Sequence, residues 1–191
     1  MRKKAAIRPG SGAATSTMAL ALVALVFLPG SSRSQTEPFQ VVETTVGQIH
    51  SAYESGALTV RQLVQLYLDR IAAYDQQGPT LNAIITINPN ALEEAARLDA
   101  AFQSSGFVGP LHGIPVSVKD LEMTQGVPST MGSALFRDRT PDIDSVVVER
   151  LRKSGAIILG KTNTPEFGLS GTTENRLGDP CRNPWNTGYT P

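Results

Sequence analysis

The stretch Gly109–Asp120, GPLHGIPVSVKD, decides how the rest of the chain is read. Gly109, Pro110, Gly113 and Pro115 punctuate a turn-rich approach, and Pro115 holds Ile114 extended. A short apolar strand follows. Its period of two sends Val116 and Val118 to one face and Ser117 and Lys119 to the other. If that strand is internal, Lys119 ends it in a poorly hydrated place. A lysine so placed either finds an acid or loses its proton more readily, and a neutral lysine is a base. Three roles are open for Lys119: general base beside a serine, Schiff-base former, or ion-pair partner. Asp120 lies on the opposite side of an ideal strand, so a direct Lys119–Asp120 pair is not the first expectation.

Upstream, Thr44 or Thr45 caps a short helix running toward Glu54, with Val46, Ile49 and Tyr53 on one stripe. Thr59-Val60-Arg61-Gln62 has the capping-box form and opens a second helix through Leu63, Leu66, Tyr67, Ile71 and Tyr74. Leu81–Ile87 alternates as a strand, and Asn88 or Asn90 caps a helix over Ala91–Phe102.

Downstream, Leu121–Thr140 lacks periodicity, and a loop of that length suits the lining of a site. Its hydroxyls, Ser129, Thr130 and Ser133, serve either Lys119 or local capping. Thr140-Pro141-Asp142 has the form of a helix start, with Ile143, Val146, Val147 and Leu151 as the buried stripe. Ala156–Leu159 is a buried strand. The alternation of helices and strands predicts an α/β fold. Gly160–Pro191 is loop-rich, with Trp185 as its large apolar anchor.

Gly155–Thr162 fits the pattern GxxxxGK[ST] of a phosphate loop. The fit is rejected, because such a loop needs a strand before its first glycine and a helix after its lysine. Here a helix precedes Gly155, and the residues between the two glycines are themselves the strand.

Composition narrows the remaining classes. The 191 residues hold 17 basic and 17 acidic side chains. Arg2, Lys3, Lys4, Arg8 and Arg33 fall in the first 34 with no acid among them, so residues 35–191 are net acidic. No basic patch favours nucleic acid. Cys181 is the only cysteine and the two histidines, His50 and His112, are far apart in sequence, which argues against an intrachain disulfide and a zinc site. The basic start, the apolar run Met18–Leu28 and Ser32-Arg33-Ser34 read as an export signal over residues 1–34. That run is short for a bilayer span, so a periplasmic or secreted protein without stable membrane insertion after cleavage is expected.

Four blocks in order, GPLHGIPVSVKD (109–120), GVPSTMGS (126–133), GAIILGKTNTPEFG (155–168) and NPWNTGYTP (183–191), resemble the amidase signature family. The likeness runs over Thr44–Pro191. It implies a mixed central sheet flanked by helices, incomplete in 35–191, because the family domain is more than twice as long. It implies a serine hydrolase with a Ser–Ser–Lys triad and no metal or organic cofactor. Lys119 is similar in position to the catalytic lysine. Ser133 resembles a residue supporting the lysine region, while Met131, Ser129 and Thr130 would line or brace the substrate side. The family's bridging serine and nucleophile follow the fourth block, so neither is expected in these residues, and Ser170 matches a different loop.

The expected reaction of a full-length protein is hydrolysis of a small-molecule or peptide amide to acid plus ammonia or amine. Two alternatives stand beside it. One is the amidotransferase branch of the same family, which makes glutaminyl-tRNA from misacylated glutamyl-tRNA with partner subunits. The other is a non-catalytic fragment. Residues 1–191 by themselves are expected to be inactive.

Overall fold

A computed structural model describes residues 39–191. The export-signal expectation lies outside the described residues. Four α-helices and three strands are placed among those described: α1 (Val46–Glu54), α2 (Val60–Arg70), β1 (Ile84–Ile87), α3 (Ala91–Ser105), β2 (Pro115–Lys119), α4 (Val146–Lys153) and β3 (Ile157–Thr162).

The first two helices begin where their local chemistry says they should. Thr45 and Thr59 each accept a hydrogen bond from the backbone N–H three residues on, and Gln48 and Gln62 accept one from the cap backbone in return. Both helices therefore satisfy orphan donors with residues inside the first turn. Beyond Arg70, α2 continues as a π-helical segment over Ile71–Gln76. Its buried Asp75 carboxylate accepts from the Ala83 N–H at 2.6 Å and the Ile84 N–H at 3.2 Å. That contact fixes the start of β1 at Ile84, three residues later than the alternation starting at Leu81 suggests. Thr80 and Asn82, both at positive φ, take up the intervening turn.

The sheet has the order β1-β3-β2. β3 is central, antiparallel to β1 and parallel to β2. Its neighbours on the two faces differ. Ile157 and Leu159 pack with Ile49, Tyr53, Leu63, Val64 and Ala95 of α1–α3. Ile158 packs with Val118 and with Val148 of α4. Burial of these side chains supplies the main driving force for this part of the fold. Val116 and Val118 lie with the α4 cluster while Ser117 and Lys119 are exposed, as the period of two requires.

β3 runs past Leu159 to Thr162, farther than its apolar run alone indicates. It carries one extra residue against β2, because Val116 pairs with Ile158 but Ser117 pairs with Gly160. A bulge of this kind resets which face later side chains take. Lys161, opposite Val118, consequently joins the face of Ile158 rather than that of Leu159. Gly160 is required there for space, since a Cβ would stand 2.4 Å from the Thr86 carbonyl oxygen.

Two expectations need correction. The helix after Thr140 begins at Val146, with Ser145 as its cap, and not at Pro141. The intervening residues are held by tertiary bonds: Gln125 N–H donates to Asp144 at 2.7 Å, and Ser145 N–H donates to the Met123 carbonyl at 2.8 Å. This shift rotates the stripe, so Val148 is the buried residue while Ile143, Val146 and Val147 are all more than half exposed. Trp185, expected as an anchor, is 93% exposed. Residues 183–189 close instead on their own backbone, with Asn183 N–H donating to the Tyr189 carbonyl.

Candidate functional site

The ends of β2 and β3 bring the second and third sequence blocks onto the first. The Asp120 N–H donates to the Thr162 carbonyl at 3.1 Å, and the Glu122 N–H donates to the Lys119 carbonyl at 2.9 Å. The chain therefore leaves the sheet in a tight turn at the Lys119–Asp120 step. Loop 121–140 then returns, and the Met131 N–H donates to the Asp120 carbonyl at 3.0 Å.

Asp120 is fully buried and its carboxylate gathers the loop. It accepts from the Thr130 N–H at 3.1 Å and also from the Thr130 hydroxyl. The Lys161 ammonium stands 3.2 Å from Asp120 Oδ1, with both side chains at zero exposure. Lys161 also donates to the Ser129 hydroxyl at 2.8 Å and to the Glu122 carbonyl. An ammonium has three protons and no lone pair, and three oxygens meet it here. Burial pushes Lys161 below the usual lysine value, while the Asp120 charge pulls it back up. The Ser129 hydroxyl spends its own proton on the Val127 carbonyl at 3.1 Å. This Lys–Ser contact is consequently a closed structural joint: the ammonium is donating, and neither group is open to a substrate.

Lys119 is different in every respect. It projects from the opposite face of β2 and is exposed. A poorly hydrated position is expected only for an internal strand; among the described residues β2 is at the sheet edge and Lys119 is exposed. Lys161, not singled out from the sequence except within the rejected phosphate-loop pattern, is the buried lysine. The amides of that pattern are committed to β1 and β2 through β3.

The remaining sequence candidates gather on the Asp120 side. Ser129 holds Lys161, and Thr130 holds Asp120. Met131 adopts a positive φ of 54°, and its carbonyl accepts from the Phe167 N–H at 2.8 Å. Ser133 is buried; its hydroxyl donates to Glu166 Oε1 at 2.6 Å and accepts from the Leu135 N–H at 3.3 Å. Gly132 lets the two loops touch, since a Cβ there would lie 2.7 Å from the Pro165 carbonyl oxygen. Ser170 is exposed on a separate turn, 3.2 Å from the Thr172 hydroxyl. Glu166 is a site residue that sequence reasoning missed; its position in Pro165-Glu166-Phe167-Gly168 carries no signal of its partner 33 positions back.

The likeness to known proteins covers this joint and most of the described chain. The family described as Amidase matches residues 62–191, and the chain belongs to that family, the amidase signature enzymes. Among solved structures, the native peptide amidase of Stenotrophomonas maltophilia is 39% identical with a TM-score of 0.74, covering 78% of this chain and 32% of that one. An amidase family protein of Bacillus anthracis is 41% identical with a TM-score of 0.62, over 66% of this chain and 25% of that one. Among curated proteins, the A subunit of the glutamyl-tRNA(Gln) amidotransferase of Alkaliphilus metalliredigens is 39% identical over 80% of this chain and 30% of its own length. The chain thus spans about 30% of the length of the curated relatives it matches. The mixed sheet with helices on both faces is accordingly a partial amidase-signature fold.

Proposed function

We propose that the full-length protein is an amidase that hydrolyses the C–N bond of a small-molecule or peptide amide through a serine acyl-enzyme, with Lys119 as its base. The observation that carries this is the placement of Lys119. It ends β2 on the face opposite the closed Asp120–Lys161 pair, so of the two lysines beside the joint it is the one free to meet a substrate or a serine. Hydrolysis by this route needs a base to take the serine proton, donors for the carbonyl oxygen, and a proton for the leaving amine. Lys119 supplies the first and third, taking the serine proton and passing it to the leaving amine. Met131, Ser129, Thr130 and Ser133 brace the loop that returns beside it, and no cofactor enters the scheme.

The likeness to a peptide amidase supports a peptide or small amide as substrate. The likeness to amidotransferase subunits favours a second reading, in which the released ammonia serves transfer to a tRNA-bound glutamyl group. The basic, then apolar, start of residues 1–34 supports export, to the periplasm or the medium, and so favours the first. Among the described residues no helix is long and apolar enough to cross a membrane.

The experiment is to supply the full-length protein with a peptide amide and measure ammonia release, alongside export of a reporter fused to residues 1–34. Release without partner subunits, together with export, is the expected result. Ammonia release that requires partner subunits, with a reporter retained in the cell, defeats it in favour of the amidotransferase reading.

A further inference from the structure

We infer that the Asp120–Lys161 pair is a positioning device for Lys119, setting the direction in which the end of β2 presents that side chain. This rests on the amidase reading above. The geometry points to it in three ways. Asp120 directly follows Lys119, so any rotation of one backbone unit turns the other. Asp120 is held at every polar atom: its N–H by Thr162, its carbonyl by Met131, and its carboxylate by Thr130 and Lys161. The bulge in β3 is what brings Lys161 to the Asp120 face at all, because an unbulged strand would carry it to the face of Leu159 and Ser117.

The pair also couples β3 to two segments, the turn after β2 and the returning loop, through one ammonium. Lys161 reaches Asp120 at the strand end, Glu122 in the turn and Ser129 in the returning loop. A buried ion pair is a weak source of stability compared with apolar packing, because both charges give up water. Its full burial beside the candidate base is accounted for by orientation. Misplacement of a reacting group by about 1 Å can cost on the order of a hundredfold in rate.

The test uses the full-length protein and two variants. Lys161→Met leaves Asp120 buried without its cation and is expected to lose stability, so the double variant Asp120→Asn/Lys161→Met carries the argument. It removes both charges together, and the substituted amide still offers an oxygen to the Thr130 N–H. Two readouts are taken: the melting temperature, and kcat for an amide and for an activated ester of the same acid. Amide cleavage needs the base to return a proton to a poor leaving group, whereas the activated ester needs little such help. The double variant is expected to melt within a few degrees of the wild type and to lose about tenfold or more on the amide, with a much smaller loss on the ester. A merely structural role lowers both rates in proportion to the folded fraction. An unchanged amide-to-ester ratio in a folded double variant overturns the inference while leaving the amidase reading intact. A wild type that releases no ammonia from amides defeats that reading, and the positioning role with it.

Discussion

The Ser133 hydroxyl donates to Glu166 Oε1 at 2.6 Å, joining the loop after β2 to the turn after β3. The same oxygen accepts from the Leu135 N–H and so caps a short 3-10 turn over Ala134–Phe136. One hydroxyl thus reinforces a junction that the backbone makes between Met131 and Phe167.

Ser133→Ala is expected to destabilise the chain by about 1–2 kcal/mol, the usual range for losing a capping hydroxyl and a hydrogen bond to a carboxylate. Urea unfolding of the 191-residue chain measures this. Glu166→Gln retains an acceptor and is expected to cost less than Ser133→Ala. The reverse order would show that the Ser133–Glu166 contact is not what joins the two loops.

Stability is expected to fall as the medium becomes acidic. His112 is fully buried; its Nδ1 accepts from the Val108 N–H at 3.2 Å, and its Nε2 has no partner among the described residues. Burial, with His50 nearby, holds its pKa below the ordinary value of 6.5. The unfolded chain therefore takes up a proton at a pH where the folded chain does not. The contribution to stability is full above about pH 6.5 and declines as pH falls below it, down to the lower folded value. Melting temperature followed from about pH 8 to about pH 5 checks this, and His112→Gln is expected to flatten that decline.

Gly160→Ala should be among the more damaging single-methyl changes in the chain. The new Cβ would meet the Thr86 carbonyl oxygen at 2.4 Å in the middle of a three-stranded sheet. Overpacking of this kind costs about 1–3 kcal/mol. Gly47→Ala is the control, since nothing lies within 4 Å of a Cβ there. Thermal melts of the two variants are expected to separate clearly, with Gly47→Ala at or above the parent.

Much of the fold is legible in the sequence where its causes are local. The Thr59/Gln62 capping box places α2, and a threonine cap at Thr44 or Thr45 places α1, because donor and acceptor lie within one turn. The alternation Val116, Ser117, Val118, Lys119 reads correctly for the same reason. Elements set by distant partners do not read so well. Pro141-Asp142 has the form of a helix start, yet Asp144 and Ser145 are drawn to Gln125 and Met123 and the helix waits until Val146. Lys161 is the clearest case. Its burial depends on a bulge and on Asp120, far upstream in the chain, neither of which a local pattern carries. The exposure of Lys119 likewise follows from what covers each face of β2 and not from the strand itself, since Val118 on the other face is buried.

The most direct measurement concerns Lys119 itself. Its side chain is exposed among the described residues, so Lys119→Met is expected to leave the melting temperature of the 191-residue chain unchanged. In the full-length protein, kcat/KM for a peptide amide should then fall by about a thousandfold, the loss expected when a serine nucleophile is deprived of its base. A folded Lys119→Met protein that hydrolyses the amide at the parental rate would contradict the assignment of Lys119 as the base.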